Sequence, residues 1–175
     1  RRTYLPAVMA LLVGLAPAAF GAGKTIAVDG INSEWDAGDL LYVDAEISDG
    51  MPANSSYANV YVANDTNNLY FGLETKGSNG AAITNLWTHY IYVDIDTNAA
   101  TGYNGGTWSG GYDLQIRYGR DGFDFDLYEF TGGVNQSSWS WGYLTYVTYE
   151  DSDSFIEISV PLDYAGLTID DTVRI

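Results

Sequence analysis

Short runs in which apolar and polar residues alternate one by one recur along this chain. Tyr112-Asp-Leu-Gln-Ile-Arg-Tyr118 and Phe123-Asp-Phe-Asp-Leu127 are the cleanest examples. A period of two places successive side chains on opposite faces of an extended strand, and no stretch carries a comparable helical stripe. Leu40–Ile47, Ala58–Ala63, Leu69–Glu74, His89–Ile95, Tyr143–Tyr149 and Phe155–Val160 read as further strands. Asn64-Asp-Thr-Asn-Asn68 reads as a hairpin turn between two of them, and Gly119-Arg-Asp-Gly122 as another. Leu162–Leu167 has the pattern of one short helical turn.

About nine short strands at regular spacing predict one all-β domain, an antiparallel β-sandwich. Val60, Val62, Leu69, Phe71, Ile91, Val93, Leu114, Ile116, Ile156 and Ile158 are its expected core. The composition agrees: 15% of residues are aromatic and 20 are glycine, which suits strands joined by tight turns.

Residues 1–22 differ from the rest. Arg1-Arg2 precedes the apolar run Ala7–Ala16, and small residues follow through Ala22. This is the pattern of a secretory signal peptide, and the run is short of the about 20 residues that span a bilayer. A membrane anchor is the alternative, and the paired arginines faintly echo a twin-arginine leader. Residues 23–175 are then the mature domain, secreted or at the cell surface, with no transmembrane span. The ending at Thr172-Val-Arg-Ile175 reads as an opening strand, so the domain is expected to continue beyond it.

The formal charge is −16, which repels phosphate backbones and excludes nucleic acid as a partner. There is no cysteine, hence no disulfide, thiolate metal site or thiol nucleophile. With a single histidine, any Ser-His-Asp site would run through His89. Glycosidases need paired carboxylates. Asp124 and Asp126 share a strand face that reads as solvated, while Glu46, Glu74, Glu129 and Glu157 have no evident partner. The chain reads as non-catalytic.

Asp94, Asp96 and Asn98 stand at alternate positions where a strand enters a loop. Oxygen ligands in that pattern suit a structural Ca²⁺, and they equally suit an Asx-rich turn that caps backbone amides. The spacing is not that of an EF-hand, because its obligatory glycine and glutamate positions hold Ala99 and Gly105.

Four stretches resemble the family 9 carbohydrate-binding modules and their DOMON-like relatives. They are Val28-Asp-Gly-Ile-Asn-Ser-Glu-Trp35, the segment Val60–Phe71 ending in Leu-Tyr-Phe, Tyr92–Tyr103 with Gly111-Tyr-Asp113, and Ile156–Leu162. They span residues 26–167 in the family's order. The resemblance implies a jelly-roll-like sandwich of the carbohydrate-binding-module type, and it places Asp113 where the cation site would close. It also implies a polysaccharide or oligosaccharide ligand.

Trp87, Trp108, Trp139 and Trp141 lie in Gly-, Ser-, Asn- and Thr-rich segments, where their rings could stack on sugar faces. Trp139 and Trp141 share one face if extended, and Trp108 is the expected opposing wall. Asn104, Asn135 and Gln136 are the expected hydrogen-bonding amides. Trp35 reads as a structural plug. Some DOMON relatives bind haem through Met and His, for which Met51 and His89 are the candidates here. The competing non-enzymatic reading is a structural or adhesive surface subunit that uses open strand edges for association between copies.

Overall fold

The computed structural model describes residues 18–19, 23–43, 57–75, 88–105, 108–119, 123–152, 154–164, 166 and 172–173. Alternation becomes thirteen strands among these residues, all paired antiparallel. Strand β1 (Ala18–Ala19) lies at the end of the leader-like segment and pairs with β13 (Thr172–Val173). The remainder of residues 1–22 lies outside the described residues, as do Met51 and Trp87.

Two sheets form the sandwich. One has five strands: β2 (Leu40–Val43), β3 (Tyr57–Asn64), β4 (Asn68–Thr75), β11 (Thr148–Asp151) and β12 (Phe155–Pro161), in the order β11-β12-β4-β3-β2. The other has four: β5 (Thr88–Val93), β8 (Leu114–Gly119), β9 (Phe123–Phe130) and β10 (Trp141–Tyr146), in the order β10-β9-β8-β5. A small hairpin, β6 (Tyr103–Gly105) and β7 (Trp108–Tyr112), joins β5 to β8.

The two inner faces meet in one core. Val60, Leu69, Phe71, Leu73, Ile156 and Ile158 come from the five-stranded sheet; Val93, Leu114, Ile116, Tyr118, Phe125 and Leu127 oppose them. All ten expected core residues lie in this cluster or pack against it, with Val62 and Ile91 only partly buried. Burying these side chains is the main favourable term of the fold, at about 25 cal/mol per Å² of apolar surface.

A second, smaller cluster covers the outer face of the five-stranded sheet, where Ile26 and Trp35 meet Ala63, Tyr70 and Phe155. Gly72 makes room for it: a Cβ there would stand 2.8 Å from both the Trp35 and Phe155 rings. Lys24 fastens the covering segment through ion pairs to Asp36 and Asp39. Trp35 is thus the plug that its position suggests.

Two expectations are corrected. Tyr143–Tyr149 is not one strand: it divides at Val147 into β10 and β11, which belong to different sheets. Val147 is buried in the core and donates its amide to Phe125 O at 3.0 Å, so the chain crosses between layers there. Asp126 is not on a solvated face. It is buried, and its Oδ2 accepts the Tyr128 hydroxyl at 3.0 Å. No described helix is long and apolar enough to cross a membrane.

Candidate functional site

The inward alternation of β5 and β8 leaves Tyr90, Tyr92, Gln115 and Arg117 on the outer face of the four-stranded sheet. On β9 and β10 the corresponding residues include Asp126, Tyr128, Phe130, Trp141 and Tyr143. The β6–β7 hairpin folds Tyr103 and Tyr112 against Tyr92, with ring centroids 6.2 and 5.2 Å away. The loop 131–140 brings Trp139 to the same place.

The result is one aromatic cluster. Trp139 stands edge-on to Tyr103 at 5.3 Å and to Tyr90 at 5.7 Å, and 6.0 Å from Trp141. Trp141 also contacts Tyr92, Tyr103 and Phe130. Edge-to-face pairs of this kind hold rings at fixed angles and add roughly 0.5–1.5 kcal/mol each beyond burial. Trp139 nonetheless keeps 52% of its surface exposed. The cluster therefore offers the Trp139 ring to solvent.

Trp139 and Trp141 are brought together as their spacing implies, although Trp141 begins strand β10 rather than lying in a loop. Trp108 begins β7 with its backbone opposite Gly105; its side chain lies outside the described residues, as does Trp87. Asn104 is in β6, and its backbone N–H donates to the Gln136 carbonyl at 2.8 Å. Gln136 Nε2 donates to the carbonyls of Ala99 and Thr101, tying the tryptophan loop to the neighbouring turn. Asn135 Oδ1 accepts the Ser137 hydroxyl at 3.0 Å. The amides of Gln136 and Asn135 thus brace the loop.

Sequence reading passed over Tyr90, Tyr92 and Tyr103. The signal for the first two was present: they alternate with the core-facing Ile91 and Val93, so two rings face outward.

At the end of the same face, Asp94, Asp96 and Asp113 place carboxylate oxygens within 4.8 Å of one another. Asp94 is fully buried. Burial holds the Asp113 carboxyl above its ordinary range against the Ile95 amide, which donates to Oδ2 at 3.0 Å, and the charge of Asp96 adds to the rise. Asp96 lies below its ordinary range, chiefly through the Thr101 hydroxyl, which donates to Oδ2 at 2.8 Å. Asn98 follows in the same turn, where its Oδ1 accepts the Ala100 backbone amide at 3.1 Å. The turn is closed by backbone-to-backbone packing, since a Cβ on Gly102 would meet Gly111 O at 2.5 Å. Three converging carboxylates with these donors can hold a hard cation through oxygen ligands.

A second acidic group, Asp29, Glu34 and Glu157, is organised by hydrogen bonds. Glu157 Oε2 accepts the amides of Asp29 and Gly30, both at 2.8 Å, and its Oε1 accepts Trp35 Nε1–H. His89 is enclosed in the sandwich. It is 3% exposed, its Nδ1 shares a hydrogen bond with the Tyr57 hydroxyl, and its ring stacks on Tyr118.

Compared with known proteins, the chain matches no protein-family model and no curated sequence.

Proposed function

We propose that this chain is a non-catalytic carbohydrate-binding domain whose ligand stacks on the aromatic cluster around Trp139, Trp141, Tyr90 and Tyr103. The observation that carries this reading is the half-exposed Trp139, held edge-on by Tyr90 and Tyr103 on the outer face of a sheet. A flat apolar ring kept in water, with polar neighbours, suits the C–H faces and hydroxyls of a sugar. The leader-like residues 1–22 support export, and the strongly acidic chain disfavours anionic partners. Asp94, Asp96 and Asp113 would hold a structural Ca²⁺ beside this site.

Stacking with a few hydrogen bonds implies a Kd of about 1 µM to 1 mM. Titrating oligosaccharides of glucose, xylose and mannose while following tryptophan fluorescence tests the reading. Trp139→Ala should weaken any binding at least tenfold, a loss of about 1.4 kcal/mol. If no sugar binds and the protein instead associates with itself as concentration rises, the structural or adhesive reading replaces this one.

A further inference from the structure

Strand register sets the outer face of the four-stranded sheet out as rows. One row runs Tyr90, Arg117, Asp126, Tyr146; the next runs Tyr92, Gln115, Tyr128, Tyr143; Phe130 and Trp141 begin a third. Each complete row has polar groups near its middle and aromatic rings at its edges. Along β10 the edge aromatics Trp141, Tyr143 and Tyr146 span about 16 Å at 3.3 Å per residue, longer than a single sugar ring. Tyr143 and Tyr146 contact each other edge-on at 5.5 Å and remain 50% and 67% exposed.

The middle of this face is chemically unfinished. Gln115 is 0% exposed and its amide N–H faces the Tyr92 hydroxyl, yet its Oε1 has no hydrogen-bond partner among the described residues. The same holds for Asp126 Oδ1 and for Trp141 Nε1. A buried polar group left without a partner costs about 1–3 kcal/mol. Two acceptors, Gln115 Oε1 and Asp126 Oδ1, and a lone donor, Trp141 Nε1, therefore lie on one aromatic face. A hydroxyl both donates and accepts, so it can satisfy all three. A ligand bearing many hydroxyls on apolar rings fits the polar middle and the aromatic edge together. Arg117 is already engaged by the Tyr128 hydroxyl and ring, and Asp126 sits beside it, so among the described residues the face offers no free cation to an acidic glycan.

We infer that this face is an extended subsite for a neutral glycan chain, running along the strands from Trp139 and Trp141 to Tyr143 and Tyr146. Gln115 and Asp126 are its hydrogen-bond partners. A side-chain rotation of the partly buried Tyr128 admits the sugar hydroxyls. This extension rests on the carbohydrate reading above.

Calorimetric titration of the full chain with β-1,4-linked hexasaccharides and disaccharides of glucose, xylose and mannose tests it. The expected result is that one hexasaccharide binds at least tenfold tighter than its disaccharide. The double variant Tyr143→Ala/Tyr146→Ala should bring the two affinities together, whereas Trp139→Ala weakens both. Gln115→Met supplies a second measurement. Removing a buried carbonyl oxygen without a partner should raise the Tm while weakening the hexasaccharide at least fivefold, whereas a Gln115 that only supports the fold would lower the Tm. Equal affinity for both lengths overturns the extension alone. So does hexasaccharide binding that is sensitive to Trp139→Ala but untouched in the tyrosine variant. No binding of any sugar overturns the extension and the carbohydrate reading together.

Discussion

The indole N–H of Trp35 donates to Glu157 Oε1 at 2.7 Å, beneath the surface of the five-stranded sheet. The other carboxylate oxygen takes two backbone amides, from Asp29 and Gly30, so Glu157 serves three donors with no exposed surface. Trp35→Phe should lower stability by about 1.5–3 kcal/mol, the usual worth of a hydrogen bond to a charged group. Glu157→Gln should cost more, because one of its side-chain atoms becomes a donor facing donors. Urea unfolding followed by circular dichroism measures both, and a loss under 0.5 kcal/mol in either variant would show the hub to be dispensable.

Asp65 and Tyr70 give the β3–β4 hairpin opposite responses to acid and alkali. Burial raises the Asp65 carboxyl, but the Tyr70 hydroxyl at 2.7 Å and the amides of Asn67 and Asn68 outweigh it and hold it below its ordinary range. Its contribution is present above the unfolded carboxyl value and fades as pH falls through the lowered one. Tyr70 is pushed up to about 12 by burial and then by the Asp65 carboxylate. Its contribution is complete below the ordinary value of 10.0 and is lost as pH rises through about 12. Tyr70→Phe should cost about 1–2 kcal/mol at neutral pH and flatten both limbs of a stability–pH curve. An unchanged alkaline limb would assign that limb to other tyrosines.

Calcium should raise the melting midpoint over that in chelator by about 4 °C or more, since an ion bound only by the folded chain stabilises it by mass action. Asp96→Asn should erase most of the difference. Its Oδ1 acceptor for the Asn98 amide survives the change, so the turn stays folded. Glu150→Gln, on the exposed strand β11, should leave the difference intact. Equal midpoints in calcium and chelator would make the three aspartates turn-forming groups only.

Gly102 and Gly111 have φ of +62° and +67°, and each lies where a Cβ would strike backbone. Gly111→Ala should therefore cost more than about 2 kcal/mol, the left-handed penalty of about 1–2 kcal/mol plus the clash with Asn98 O and Ala99 Cα. Because Gln136 ties this turn to the Trp139 loop, tryptophan emission should also shift in the folded variant. An emission spectrum like that of the unsubstituted protein would uncouple turn from loop.

Periodicity carried the fold but not everything laid over it. Alternation placed Ile91, Leu114 and Ile158 inside because the sandwich core selects one face of each strand. It also put Gln115 and Asp126 on the outer face, but left Asp126 reading as solvated because alternation is silent on what covers that face. The aromatic cluster on that face draws on β5, the β6–β7 hairpin and residues 139–141, and no local pattern records that they meet. Val147 defeated the reading of Tyr143–Tyr149 because an apolar residue continues a strand pattern whether the chain stays in one sheet or crosses to the other. Glu157 showed no partner in sequence because its donors lie more than 120 residues earlier.

Strand β12 sits between β4 and the edge strand β11, yet it follows the other four strands of that sheet in sequence. Until it arrives, β4 presents an unpaired edge carrying Leu69, Phe71 and Leu73, and the segment around Trp35 has no carboxylate to bind. Closing loops of such length before any contact rewards them is slow, and the open apolar edge invites wrong pairings in the meantime. Folding of this domain is therefore governed by the arrival of residues 155–161. A chain stopped short of them should remain unfolded and prone to aggregate rather than form half a sandwich.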